Sequence, residues 1–368
     1  MTRLAFAAAV VLLACGDSRG AGFASGFGVT SAPQGSGSSG GSSSGSSSSS
    51  TGEAEDSAGS SSSSGVEVFD MGPPPDFGPV QPPGCKGKID FLFLISSFYT
   101  MKTEQDQLLA SLPGFFDTIT ATFPDFDTHI MVANTTGAWT GWVCEHPHLC
   151  GQNGTCGENA EDYVCGPDTW LTVTKCDETL GAGLTFNAGG YATNKRCELY
   201  GGHRYITIPG EPDPTAAFDC VARVGTSGHD PRMGDALVAA VSPELNGPEG
   251  CNAGFLRPDA LLVVTMITDV EDDQSKMKPA DWYKAVVDAK GSAASAVMLA
   301  IIPQYHEGEP PPGCVSMQGT PDEKQRVRDL IEMFPYHFEG DTCAPTYVPF
   351  FEQAVALVEQ ACNSFIPQ

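Results

Sequence analysis

Residues 35–50 contain only Gly and Ser. No core can be assembled from such a stretch, because it buries nothing to offset the entropy of ordering. The same poverty of large apolar side chains runs from residue 16 to about 84. It continues through a serine run at 60–64 and closes on Pro73, Pro74, Pro75, Pro82 and Pro83. The expectation is a disordered tether over 15–84, with a root-mean-square reach of roughly 45 Å for a coil of ~65 residues. Any folded body must therefore come from the remainder, 85–368.

Ahead of the tether, Arg3 precedes a continuous apolar run from Leu4 to Ala14. That run is too short for a bilayer span, which needs about 20 apolar residues, and it fits the h-region of a secretory signal over 1–14. Its ending, Leu12, Leu13, Ala14, Cys15, resembles a bacterial lipobox. The resemblance implies cleavage before Cys15 and lipidation of that residue, which would anchor the chain to a membrane rather than through it. An ordinary signal peptide with an incidental Cys15 is the alternative. Both readings place the folded part outside the cytoplasm, and the lipobox reading places it in the cell envelope, at the outer membrane.

Removing Cys15 from the 13 cysteines leaves 12. An even number in an exported chain reads as disulfides, and with no Cys-x-x-Cys pair, zinc-ribbon and thioredoxin-like chemistry has no support. With 45 acidic against 19 basic residues, the formal charge is -26. This balance opposes nucleic acid and anionic lipid headgroups as partners, since both need a basic footprint, and a solvated acidic surface that favours solubility is the plain alternative. Cations and basic protein surfaces stay open.

From Cys85 the composition changes. Ile89, Asp90, Phe91, Leu92, Phe93, Leu94 and Ile95 form a nearly unbroken apolar run, as for a strand buried on both faces. Similar runs occupy 260–267 and 296–302, with a weaker one at 128–133. Helical periodicity places Leu108, Leu112, Phe115, Phe116 and Ile119 on one face. It does the same for Met233, Leu237, Ala240 and Val241, and for Phe351, Ala354, Val355 and Val358. A surface helix is expected over 322–334. This alternation indicates an α/β fold with a doubly wound, mostly parallel sheet and helices on both faces. Residues 137–203 break the rhythm, with Cys144, Cys150, Cys156, Cys165, Cys176 and Cys197 and many glycines. They read as a disulfide-stapled insertion that ends on a strand near 204–208.

The stretch from about Cys85 to the end resembles the von Willebrand factor type A domain, notably its lipid-anchored, Cys-rich bacterial envelope versions. Four places carry the resemblance, in order. The first strand is followed by Ser96, Ser97, Phe98, Tyr99, Thr100 and Met101. Gly225, Thr226, Ser227 and Gly228 precede a helix. Residues 255–262 lead into a fourth strand, and that strand ends in Thr268, Asp269, Val270, Glu271, Asp272 and Asp273. The family's metal-dependent adhesion site takes Asp-x-Ser-x-Ser, a Thr and an Asp from these loops. Here Ser96 replaces the Asp and Phe98 the first Ser, while Thr100, Thr226 and Asp269 match. The expectation is a degenerate site that holds no cation in the family's manner. In that family the first strand lies inside the sheet with the last helix beside it, which implies a Cys85–Cys362 bridge. The alternative pairs Cys85 inside the insertion and Cys362 with Cys343. Cys220–Cys251 and Cys314–Cys343 are further expected bridges.

Other constellations are weaker. Asp269, Glu271, Asp273 and Ser275 alternate like the opening of an EF-hand loop, but Gln274 and Ala280 stand where Gly and the bidentate Glu belong. A weak Ca²⁺ or Mg²⁺ site at Asp269, Glu271 and Asp273 competes with a solvated acidic loop. His146 and His148 could begin a Zn²⁺ or Cu²⁺ site or sit as solvated side chains in a surface loop. Asn134-Thr135-Thr136 and Asn153-Gly154-Thr155 match the glycosylation sequon. Hydrolase, metalloprotease and nucleotide-binding signatures are absent. The expectation is a non-enzymatic envelope protein without a cofactor, whose domain meets a protein or cell-surface ligand at the C-terminal edge of its sheet. An exported hydrolase and a purely structural envelope component are the alternatives.

Overall fold

The computed structural model describes residues 84–85, 87–141, 172–228, 230–304 and 325–365. The signal, Cys15, the tether, His146, His148, Asn153 and Cys314 lie outside the described residues. In chain order the elements are β1 (Lys88–Ile95), α1 (Lys102–Thr122), β2 (Asp127–Ala133), β3 (Phe186–Asn187), β4 (Lys195–Arg196), β5 (Ile206–Ile208), α2 (Pro214–Ala222), α3 (Met233–Ala240), α4 (Pro243–Asn246), β6 (Leu261–Ile267), α5 (Pro279–Lys290), β7 (Ala296–Ile302), α6 (Arg326–Ile331), β8 (Tyr336–Asp341) and α7 (Val348–Ser364).

The unbroken apolar runs become strands because both faces of the sheet are covered. Ile89, Phe91, Phe93 and Ile95 of β1 point into one core, shared with α1, α2 and α7. Leu92 and Leu94 point into a second core, shared with α3, α5 and α6. The first core is an aromatic cluster in which Phe93 meets Phe218 at 4.8 Å and Phe115 meets Phe351 at 4.7 Å between ring centroids. Such pairs contribute about 0.5–1.5 kcal/mol beyond their buried area. In the second core α3 packs closely on the indole of Trp282. A Cβ at Gly234 would stand 1.9 Å from that ring, so only glycine fits there.

Six strands make the main sheet, in the order β5-β2-β1-β6-β7-β8. Every pairing is parallel except β5 on β2. The order reverses between β1 and β6, where Ile95 pairs with Ile267. In open α/β sheets a crevice opens outside the strand ends at such a switch point. The chain is thus an α/β protein with a mostly parallel sheet and helices on both faces. The expected surface helix at 322–334 is corrected: the described helix spans Arg326–Ile331, and Val327, Leu330 and Ile331 are buried in the second core.

Disulfides join Cys85 to Cys362, Cys176 to Cys251 and Cys197 to Cys220. The expected Cys220–Cys251 bridge is therefore not formed, because each partner takes a cysteine of the insertion instead. Cys343 is also disulfide-bonded. Besides its bridge, the first clasp carries a bond from the Gly84 N–H to the Phe365 carbonyl at 2.9 Å. The bridges indicate an oxidising compartment outside the cytoplasm. Among the described residues no helix is long and apolar enough to cross a membrane.

A buried charged cluster closes the N-terminal end of the sheet. Asp90 is fully buried and accepts the Arg257 backbone N–H and Nε at 2.8 Å each. Arg257 also donates to the carbonyls of Ile89 and Asp127. Buried Lys290 donates to the Arg257 carbonyl at 2.5 Å. Burial pushes the Asp90 carboxyl up to about 6 against the Arg257 charge, and lowers Lys290 to about 8.

Candidate functional site

The switch point places the loop 96–101 beside the end of β6. Its backbone is fixed from several sides. The Ser96 N–H donates to the Ile267 carbonyl at 2.9 Å. Gln105, in the first turn of α1, donates to the carbonyls of Ser96 and Gly225 and accepts the Gly225 N–H. One buried amide thereby ties together the loops after β1 and before α3. The Gly228 N–H donates to the Ser97 carbonyl, and a Cβ at Gly228 would stand 1.9 Å from Ser97 Oγ. That close approach explains the glycine.

The four positions of the degenerate site have different fates. Ser96 is buried, and its hydroxyl accepts the Phe98 N–H at 3.2 Å. The Thr226 hydroxyl turns to the Gly190 carbonyl of the insertion at 3.4 Å. Thr100 Oγ1 is buried and makes no bond of full hydrogen-bond geometry, although it lies near Asp269. Asp269 is fully buried, its N–H meets Met101 Sδ at 3.2 Å, and neither carboxylate oxygen meets a donor at hydrogen-bond geometry. Burial pushes the Asp269 carboxyl up, and the nearby Thr100 hydroxyl and a backbone N–H offset part of the rise. Asp269, Glu104 and Asp341 all bear electrostatically on Tyr347, whose hydroxyl burial raises and which donates to the Thr342 carbonyl.

This donor set does not fit a resident Mg²⁺, which asks for near-octahedral oxygen ligands. Two of the expected hydroxyls are engaged by the protein, and one carboxylate remains. Among the described residues no group of three or more His, Cys, Asp and Glu side chains could hold a metal ion. The acidic loop disperses as well. Asp269 is buried, Glu271 accepts the Arg326 N–H, and Asp273 is exposed and accepts from Gln274. The weak cation set at Asp269, Glu271 and Asp273 is therefore not brought together. Asp272 instead accepts the Gly234 N–H at 2.8 Å and the Ser275 hydroxyl at 2.7 Å, tying the loop to the start of α3. The sequon at Asn134 is also corrected. Its side chain is buried and fully used, donating to the Ala138 and Asp177 carbonyls and accepting from Thr136 and Gly137.

What the edge presents outward is aromatic. Tyr99 is 68 % exposed at the loop tip and lies 4.4 Å from the half-buried Phe98 ring. The Lys102 ammonium stands 4.9 Å above the Tyr191 ring on the neighbouring insertion. Asp177 fastens the insertion to itself and to Arg204, just ahead of β5. Burial pushes that carboxyl up, but bonds from Arg204, the Thr174 N–H and Arg196 outweigh the effect and hold it below its usual range. Sequence reasoning missed Gln105, the Asp177 clamp and the pocket beside Ser97 and Trp139, because each depends on residues far apart in the chain.

No protein-family profile matches the chain, and no curated protein matches it. Among solved structures it is similar to proximal thread matrix protein 1 from the mussel byssus, in two structures. One aligns at 10 % identity over 75 % of this chain with a TM-score of 0.37. The other aligns at 15 % identity over 76 % with a TM-score of 0.35. The chain spans about half the length of that protein, 49 % and 47 % in the two alignments.

Proposed function

We propose that this is a lipid-anchored cell-envelope protein, held at the outer membrane through Cys15, whose domain binds a protein or surface ligand with the loops at the C-terminal edge of its sheet. The reading is of a von Willebrand A-like domain working without the family's metal. The strand order with one antiparallel edge strand, the helices on both faces and the Cys85–Cys362 clasp support it. The observation that carries it is the Phe98–Tyr99 tip: a large exposed aromatic at the switch-point crevice, on a loop fixed by Gln105. Buried aromatic anchors dominate protein interfaces, and Tyr loses little conformational entropy on binding. A net charge of -26 favours a partner with a basic rim.

The test uses the full chain as bait against detergent-solubilised envelope from its own cells, beside Tyr99→Ala and an exposed control, Tyr200→Ala. Capture of one partner, reduced at least about tenfold by Tyr99→Ala and unchanged by Tyr200→Ala, is the expected result. Equal capture by all three baits removes the edge from the proposal. Turnover of a hydrolase substrate panel by the full chain would replace binding with catalysis.

A further inference from the structure

The tether joins the folded body at a fixed point. The Gly84 N–H bonds to the Phe365 carbonyl, and Cys85 is bridged to Cys362. That point lies at the N-terminal end of β1, and the Phe98–Tyr99 tip follows the C-terminal end of the same strand. β1 has eight residues and so measures about 26 Å. Just ahead of Gly84 the sequence is rich in proline, with Pro73, Pro74, Pro75, Pro79, Pro82 and Pro83. Along a polyproline II path, Pro75 reaches about 28 Å from Gly84 and Pro73 about 34 Å. The Pro73–Pro75 triplet can therefore pass the end of β1 and meet the tip.

The tip suits such a segment. Proline-rich chains dock on exposed aromatic rings because their extended form is already set and little entropy is lost on binding. Tyr99 is 68 % exposed, and the Phe98 ring lies 4.4 Å away at an interplanar angle of 42°, so the pair presents a bent apolar surface. The Gln105 bonds hold the loop that carries it. A third ring stands on the neighbouring turn of the insertion. Tyr191 holds a φ of 59°, in the left-handed region that bulky side chains rarely adopt. Strain of this kind, on the order of 1–3 kcal/mol, gathers at ligand-contacting turns. The turn is tied to the loop before α3 by the Gly190 N–H on the Ser227 hydroxyl and the Thr226 N–H on the Gly190 carbonyl. That loop bonds in turn to Ser97, beside the tip.

We propose that residues 73–83 of the chain's own tether fold back along the domain and lay the Pro73–Pro75 triplet on the Phe98–Tyr99 rings, covering the tip until a partner displaces it. The inference rests on the reading of the tip as a binding surface. Attachment at Gly84 gives the segment an effective concentration in the millimolar range at the tip. A contact too weak to form between separate molecules is therefore occupied within one. A partner must compete with this cover, which restricts capture to ligands that hold the tip more tightly than the prolines do.

Nitration of tyrosines by tetranitromethane, followed by mass spectrometry of the tyrosine peptides, reads the cover with no partner present, so it can fail separately from the capture experiment above. The full chain is compared with a variant carrying Pro73→Ser, Pro74→Ser, Pro75→Ser, Pro79→Ser, Pro82→Ser and Pro83→Ser, all ahead of the folded body. Tyr99 is expected to nitrate about fivefold faster in the variant, while Tyr200, 56 % exposed and distant in sequence, keeps its rate. Equal Tyr99 rates in the two proteins overturn the proposal. Equal acceleration of Tyr99 and Tyr200 also overturns it, since the tether would then screen the surface at large. Loss of Tyr99 protection when the wild type is diluted would assign the cover to a second copy's tether and overturn the contact within one chain.

Discussion

Replacing Asp90 by Asn tests the buried cluster at the N-terminal end of the sheet. The folded carboxyl lies at about 6, above the 3.8 of an unfolded aspartate. Folding therefore favours its protonated form. This contribution is fully present below about pH 4 and is lost as pH rises through 6. The gap corresponds to ~3 kcal/mol, at 1.36 kcal/mol per pKa unit. Asn removes the titration. It also turns an amide N–H₂ toward one of the two Arg257 donors, a loss of about 1–3 kcal/mol that does not vary with pH. Urea unfolding of both proteins, disulfides intact, at intervals from pH 4 to 6.5 gives the stability difference. The groups common to both proteins, His129 included, largely cancel in that difference. Between pH 4 and 6.5 the variant is expected to gain about 2 kcal/mol on the wild type, the part of the full change that falls inside this window. The range stops short of Lys290, whose lowered value near 8 brings its own titration above neutrality. A difference that stays flat to within about 0.5 kcal/mol would show that Arg257 fully compensates the burial of Asp90, and would refute the reasoning.

Cys15→Ala is expected to release the protein or leave unprocessed precursor; mass spectrometry finding a free, unacylated terminus beyond Cys15 in the wild type would refute the anchor. Calorimetric titration with Mg²⁺ or Mn²⁺ is expected to show no tight site, and a micromolar site abolished by Asp269→Ala would restore metal-dependent binding. Non-reducing peptide mapping is expected to recover Cys85 with Cys362, Cys176 with Cys251 and Cys197 with Cys220. Removing the last bridge with Cys197→Ala and Cys220→Ala is expected to cost about 3 kcal/mol by the chain-entropy estimate, read as a lower denaturation midpoint.

The central strands were legible because burial on both faces leaves an apolar run with no alternation to confuse. α1, α3 and α7 were legible through their helical period. β8 was hidden: as an edge strand it reads Tyr336 to Asp341 with most residues half-exposed. α5 was hidden because its buried stripe is only Trp282, Val286 and Lys290, and a lysine breaks the apolar pattern. The position of the candidate edge followed from the order of loops along the chain. The partners of its hydroxyls did not, since Thr226 is engaged by Gly190 of the insertion. Disulfide partners behaved alike: Cys220 and Cys251 look like neighbours until the insertion supplies Cys197 and Cys176.

The clasp at Cys85 has a mechanical consequence. The chain enters the domain at one end of β1, and the aromatic tip follows directly from the other end of the same strand. A pull between the ligand proposed at Tyr99 and the anchor proposed at Cys15 would therefore run lengthwise along β1. That strand is flanked in parallel register by β2 and β6 over nearly its full length, so its hydrogen bonds would be sheared together rather than opened one by one. The bridge to Cys362 diverts part of the tension into α7 before it reaches the sheet. Such a domain would transmit traction along its stiffest axis, and constant-force extension from Tyr99 to the tether should show a higher rupture force than extension from the tether to β8.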